Sequence, residues 1–220
     1  MTRLEPSYIP APLLQAMPLT HKWDDWDPYP LLPPNELEVE ALLGRISDFG
    51  KLVFSIGCAQ WVVGRFGNRF RDERPWQFID ACWAYELSEE FALPDELEDN
   101  AWEGPILGPT CLSLTTILNT RYGFDEDNAE VDAAFAEKVV RFVMPDRTVF
   151  ERWRDTILGR LVTVAPVDGN PAPGLRLAPA ILDPTIAIDP STLDSLRKAS
   201  LEALKLIDNP FVVRMDDTEE

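Results

Sequence analysis

Leu52-Val53-Phe54-Ser55-Ile56-Gly57-Cys58-Ala59-Gln60-Trp61-Val62-Val63-Gly64-Arg65-Phe66 is the stretch that decides the fold. Its apolar residues fall on most sides of a helical wheel, and a helix that is apolar nearly all round belongs in the middle of a globule. It is too short for a membrane span, which takes about 18 or more apolar residues. Gly64, Gly67 and Asn68 break the pattern at its far end. This segment is read as a central, buried helix.

Working upstream, Asn35 stands where a helix cap is needed, with Glu38 three residues on to complete a capping box. Val39, Leu42, Leu43, Ile46 and Phe49 follow at helical spacing, and Gly50 ends or interrupts that helix. Residues 1–34 carry Pro6, Pro10, Pro12, Pro18, Pro28, Pro30, Pro33 and Pro34. Proline lacks an amide donor and biases its predecessor to extended backbone, so no long helix is expected there. Tyr8, Leu13, Leu14, Trp23, Trp26 and Tyr29 make the segment an arm that packs on the body rather than a free tail.

Downstream, Pro75 suits the first turn of a helix with Trp76, Ile79, Trp83 and Leu87 on one face. Phe91 to Pro109 reads as an acidic loop, marked by Pro94, Gly104, Pro105, Gly108 and Pro109. Thr110 to Tyr122 reads as a second buried helix, stopped at Gly123. Asp127 or Asn128 caps the next, whose stripe is Val131, Ala134, Phe135, Val139 and Phe142. Pro145 closes it, and Asp146 opens a helix with Val149, Phe150, Trp153, Ile157 and Leu161 on one side.

The pattern then changes. Val162-Thr163-Val164 and Leu175-Arg176-Leu177 alternate like short strands around Asp168-Gly169-Asn170, compatible with one small β-hairpin. Asp189 and Pro190 start a last helix with Leu193, Leu196, Leu204 and Ile207 inward, and residues 209–220 read as an acidic tail, frayed from Arg214 to Glu220. The expectation is one all-α or mainly α domain over 1–220, a bundle of about six helices. Its parts are a packing arm (1–34), a helical core (35–161), an extended segment (162–189), a C-terminal helix (190–208) and the tail.

Composition supports a folded chain: 45% of the 220 residues are hydrophobic, enough to offset the entropy of ordering. Met1-Thr2-Arg3-Leu4-Glu5-Pro6 has an early acid and proline rather than a secretory leader, and a cytoplasmic location is expected. The three cysteines, Cys58, Cys82 and Cys111, are widely spaced among apolar neighbours and read as reduced core thiols. With His21 the only histidine, no cysteine or serine nucleophile has an evident base and no zinc set assembles. No phosphate-binding glycine loop occurs, so no cofactor is expected. Asp24-Asp25-Trp26-Asp27 and Asp125-Glu126-Asp127 are dense in carboxylates but lack the spaced ligands of a calcium loop.

Charge is the remaining signal. The 38 acidic and 20 basic residues give a net charge of -18, which repels nucleic-acid phosphates and anionic lipid and favours a basic protein partner, or solubility alone. Glu86, Glu89, Glu90, Asp95, Glu96, Glu98, Asp99 and Glu103 form a run without Lys or Arg, interleaved with Phe91 and Trp102 and preceded by Trp83. Such a run is either a solvated face with its aromatics turned inward or a docking surface, on which acids steer a basic patch and aromatics anchor it. The docking reading assigns partner contact to Glu89, Glu90, Asp95, Glu96, Glu98, Asp99, Trp102 and Glu103. Against this acidic background Arg65, Arg69, Arg71 and Arg74 form a basic island that either grips an anion or pairs with the protein's own acids.

The overall charge, the Glu86–Glu103 run and the scarcity of histidine and glycine-loop chemistry resemble the immunity proteins that bacteria make against interbacterial toxins. That resemblance is of general character. It implies stoichiometric inhibition of a cognate basic toxin such as a nuclease, by a monomer or small homo-oligomer without catalytic residues. Two other classes stay open: a small-ligand protein or enzyme that uses the arginine island, and an assembly subunit whose arm reaches a neighbouring copy.

Overall fold

The computed structural model describes residues 6–69, 71–98, 102–167 and 174–215. Among them run eight α-helices: α1 (Ala11–Ala16), α2 (Leu37–Leu43), α3 (Asp48–Phe66), α4 (Arg74–Leu87), α5 (Gly104–Glu126), α6 (Ala129–Val143), α7 (Thr148–Val164) and α8 (Leu193–Ala203). Two short strands, β1 (Phe91–Ala92) and β2 (Val213–Arg214), pair antiparallel. No helix of the described residues is long and apolar enough to cross a membrane.

Helix α3 is the axis of the bundle, buried from Phe49 to Phe66, with α4, α5 and α6 packed around it. Its apolar circumference requires that surrounding, since each side must meet another element to leave water. Gly57 lets α7 approach: a Cβ there would lie 2.9 Å from the Trp153 ring. Trp153 stacks on Tyr8 and Phe54, with centroids 5.6 and 6.0 Å apart, and gives its indole hydrogen bond to the Leu182 carbonyl at 2.8 Å. One residue therefore joins the arm, the central helix and the 3-10 turn at Pro179–Leu182.

A charged cluster is buried where α2, α6 and α7 meet. Glu137 receives hydrogen bonds from Arg141 (2.7 Å) and Arg154 (2.8 Å), and Glu36 pairs with the same two arginines. Carboxylates so deep are tolerable only when fully paired. Glu86 is a second buried carboxylate; it accepts the Leu177 amide at 2.6 Å and so ties α4 to the segment after residue 174. Burial pushes its pKa well above the ordinary value, against the opposing pull of the Leu177 amide and of Arg176 and Arg197.

Several local expectations give way. The cap of α2 is Glu36, not Asn35, and the break before α3 falls at Gly44–Ser47, leaving Gly50 in the first turn of α3. Val162–Val164 completes α7, and Leu175–Leu177 pairs with no strand. The small sheet instead joins β1 to β2, and the expected hairpin turn at 168–170 lies outside the described residues. Ile207 is 91% exposed because α8 ends at Ala203. The tail is docked at its start, where Asn209 donates to the Gln77 carbonyl (2.8 Å) and Phe211 meets Phe78 edge-on, and Arg214 and Met215, expected to fray, are held by the pairing with Phe91 and by a bond to the Glu90 carbonyl. Of the α6 stripe, Ala134 and Val139 are buried and Val131 is exposed. Phe135 and Phe142, seven residues apart, are covered by the arm through Tyr29 and through His21 and Trp23.

Candidate binding groove

The arm docks on the first turns of α5, the segment whose glycines and prolines read as loop. Pro105 sits in the first turn, where a missing amide costs nothing. Pro109 lies one turn later and leaves the Pro105 carbonyl without its helical donor. His21 replaces that donor: its Nε2–H reaches the Pro105 oxygen at 2.7 Å. Asp25 Oδ1 accepts the Gly104 amide at 2.6 Å and the Trp23 indole at 2.9 Å, so an arm carboxylate caps the helix start. Gly108 completes the seat, because a Cβ there would come within 2.2 Å of the Trp23 ring. The paired Gly-Pro steps at 104–105 and 108–109 thus belong to the helix and receive the arm.

Between arm and helix lies a groove of about 470 Å³ walled by Trp23, Asp25, Trp26, Tyr29, Trp102 and Glu103, with Gly108, Cys111 and Thr115 at its α5 side. Trp26 is 95% exposed and Tyr29 60% exposed. Asp24 shapes the loop by accepting the Trp26 amide at 2.9 Å, and Asp24, Asp25 and Asp27 are all exposed beside the indole. Among the described residues no cluster of His, Cys, Asp or Glu is placed to hold a metal ion.

The acidic run divides. Glu103 and Trp102 line the groove. Trp102, expected as an exposed anchor, is only 4% exposed and forms a wall, with the Arg74 guanidinium 4.8 Å from its ring centroid. Trp83 and Phe91 are likewise buried, since α4 and β1 turn them inward. Glu89 and Glu90 are exposed in the turn before β1, and Asp95, Glu96 and Glu98 are exposed after it; none lines the groove. Asp99 lies outside the described residues.

The arginine island serves the arm. Arg65, fully buried, donates to the carbonyls of Leu14 (2.6 Å), Met17 (3.0 Å) and Pro18 (2.8 Å). Arg69 adds a bond to the Met17 carbonyl at 2.8 Å. Arg74 is forked onto Asp72, and Arg71 is exposed. The acids expected as partners of Arg65 and Arg69 are replaced by backbone carbonyls, which become available because prolines keep the arm out of long helix. Burial lowers the His21 pKa from its ordinary value; the Pro105 hydrogen bond opposes that shift and the Arg65 charge adds to it. Burial pushes the Cys58 and Cys82 thiols well up, which leaves them inert as nucleophiles.

Reading the acidic run for its aromatics pointed to Trp102, which is buried, rather than to Trp26, which is the solvent-facing indole. A tryptophan flanked by Asp25 and Asp27 in a proline-rich segment is the pattern that could have pointed to it. Compared with protein-family models, with curated proteins and with solved structures, the chain matches none.

Proposed function

We propose that the protein is a stoichiometric binding module for a basic protein, acting as an immunity protein acts on a cognate toxin, and that the arm–α5 groove is where the partner's lysine or arginine side chains enter. The observation that carries this reading is Trp26: a tryptophan 95% exposed, beside Tyr29, Asp25 and Glu103 and flanked by Asp24 and Asp27. An indole left in water is a poor use of apolar surface unless something covers it. Carboxylates around aromatic faces attract a cationic side chain twice over, by charge and by the ring quadrupole. The net charge of -18 steers a basic partner from a distance. Inhibition follows from occupancy: the groove takes up the cationic side chains the partner needs for its own substrate.

Two observations favour this over the other open readings. The island guanidiniums of Arg65, Arg69 and Arg74 are engaged within the chain, which weakens an anion site there. From Tyr8 to Tyr29 the arm packs on its own body, which weakens arm exchange between copies. The test is capture from native lysate by the tagged protein and by a Trp26→Ala/Glu103→Lys variant. One basic protein held in stoichiometric amount by the first and lost by the second supports the proposal. An empty capture, or a partner held equally by both, overturns it.

A further inference from the structure

The free groups of the arm–α5 groove narrow the kind of cation it accepts. Glu103 stands at the N-cap of α5 but makes no cap bond. Asp25 of the arm takes that place by accepting the Gly104 amide. Glu103 is therefore left exposed, with no hydrogen bond or ion pair among the described residues. Asp25 Oδ1 is occupied by the Gly104 amide and the Trp23 indole, so Glu103 is the carboxylate of the groove with no partner. No Lys or Arg is among the described residues that line it.

The rings divide in the same way. Trp23 is fixed, seated on Gly108 and leaning on Phe142 with centroids 6.1 Å apart. Trp102 is fixed too, with the Arg74 guanidinium 4.8 Å from its centroid and that charge forked onto Asp72. Trp26 and Tyr29 are open. Trp26 meets no other ring among the described residues, and Tyr29 keeps its exposure although Phe135 supports it at 5.9 Å. Pro28 and Leu112 extend the apolar wall.

A lysine ammonium brings three N–H donors and an arginine guanidinium five. Each donor loses water on entering a wall of rings, which is costly unless an acceptor replaces it. A quaternary ammonium has no N–H to lose. Its charge is spread over methyl surface, which ring faces and a nearby unpaired carboxylate both attract. The groove, about 470 Å³, exceeds a trimethylammonium head alone and leaves room for an aliphatic stem along Pro28 and Leu112. It is also open to water at Trp26, whereas pockets for free small molecules bury about 70–90% of the ligand. A stem and an open mouth suit a side chain that belongs to a larger partner.

We propose, on the docking reading above, that the groove selects a trimethylated lysine of the basic partner, with the methylated ammonium against the Trp26 and Tyr29 rings and beside Glu103.

The experiment titrates the full-length, 15N-labelled protein with a glycine-flanked peptide carrying one lysine. The lysine is used free, trimethylated, and replaced by a neutral side chain that ends in tert-butyl; choline is the fourth ligand. The readout is the Trp26 indole signal, assigned by its loss in Trp26→Phe. The trimethylated peptide is expected to shift it saturably and to bind about tenfold or more tighter than the free or the neutral form. Choline, which lacks the stem, is expected to bind more weakly than the trimethylated peptide. Glu103→Gln, at an exposed position the fold does not need, weakens the trimethylated peptide about three- to fivefold. Equal affinity for the free and trimethylated forms overturns the selection and leaves the docking reading standing. Equal affinity for the neutral form, or none lost in Glu103→Gln, overturns recognition of the charge. Choline bound as tightly as the trimethylated peptide assigns the site to a free small molecule and overturns the partner side chain. A Trp26 signal that no ligand moves overturns the proposal as well, while capture from lysate decides the docking reading separately.

Discussion

The α2–α6–α7 junction and the arm–α5 groove use carboxylates in opposite ways. At the junction Glu137 is sealed from water and held by Arg141 and Arg154, with Glu36 completing the set. At the groove Glu103, Asp24 and Asp27 face solvent. Asp25 lies between the two cases, exposed yet bound to the first amide of α5. Two carboxylates of identical chemistry therefore answer to different selection. A buried charge is costly and persists only with full pairing, whereas an exposed one costs almost nothing in stability and acts on what approaches. The comparison predicts that substitutions at the junction change stability and those at the groove change binding.

The largest effect is expected at Glu137. Glu137→Gln leaves two buried guanidiniums short of charge and lowers the unfolding free energy by about 3 kcal/mol, the low end of the range for a broken buried pair because Glu36 remains. Urea denaturation measures it. An unchanged midpoint would break the comparison at its stronger side.

Gly108→Ala comes next. The added methyl enters the Trp23 ring, and overpacking of this kind costs about 1–3 kcal/mol. The expected signature is local: faster amide exchange over residues 21–29, with α3 and α6 unaffected, together with loss of partner capture. Protection unchanged in the arm would show that the seat is not where the groove is made.

A smaller effect is expected from pH. Neutral His21 is preferred in the folded state, since burial and the Arg65 charge lower its pKa. Below the unfolded value of about 6.5 the unfolded chain binds the extra proton first. The contribution of His21 is thus complete above that pH and is lost as pH falls through the lowered folded value. His21→Gln flattens the stability profile across that window; a profile that keeps its slope removes His21 as the latch.

The smallest effect on stability is that of Glu96→Lys, within about 0.5 kcal/mol. Its melting point stays with the wild type, and any change it makes to partner capture separates long-range steering from contact in the groove.

The same contrast explains what the sequence could carry. The central helix was legible at Leu52–Phe66 because an apolar circumference has one outcome, burial. The arm was legible as a packing element through Tyr8, Leu14 and Trp23, which do find cover, whereas Leu13, Trp26 and Tyr29, read with them, are exposed. The start of α5 was not, since Gly104-Pro105 and Gly108-Pro109 have the composition of a loop, and the bonds that support them as helix come from His21 and Asp25 of the arm. Arg65 gave no hint of its partners because backbone carbonyls have no sequence signature. For the candidate site, the acidic and aromatic character was readable, but not which indole faces water. Trp102 and Trp26 differ in tertiary surroundings, not in residue type. The docking of Asn209 and Phe211 was masked by the acids around them.

The central claim, that the groove around Trp26 is covered by a basic partner, is tested most directly by hydroxyl-radical footprinting of the full chain in buffer and in native lysate. Oxidation of Trp26 is read against that of Met215, which is 48% exposed, lies outside the groove and corrects for scavenging. The ratio of Trp26 to Met215 oxidation is predicted to fall in lysate and to recover when salt is raised. A ratio that is the same in buffer and in lysate would contradict the account.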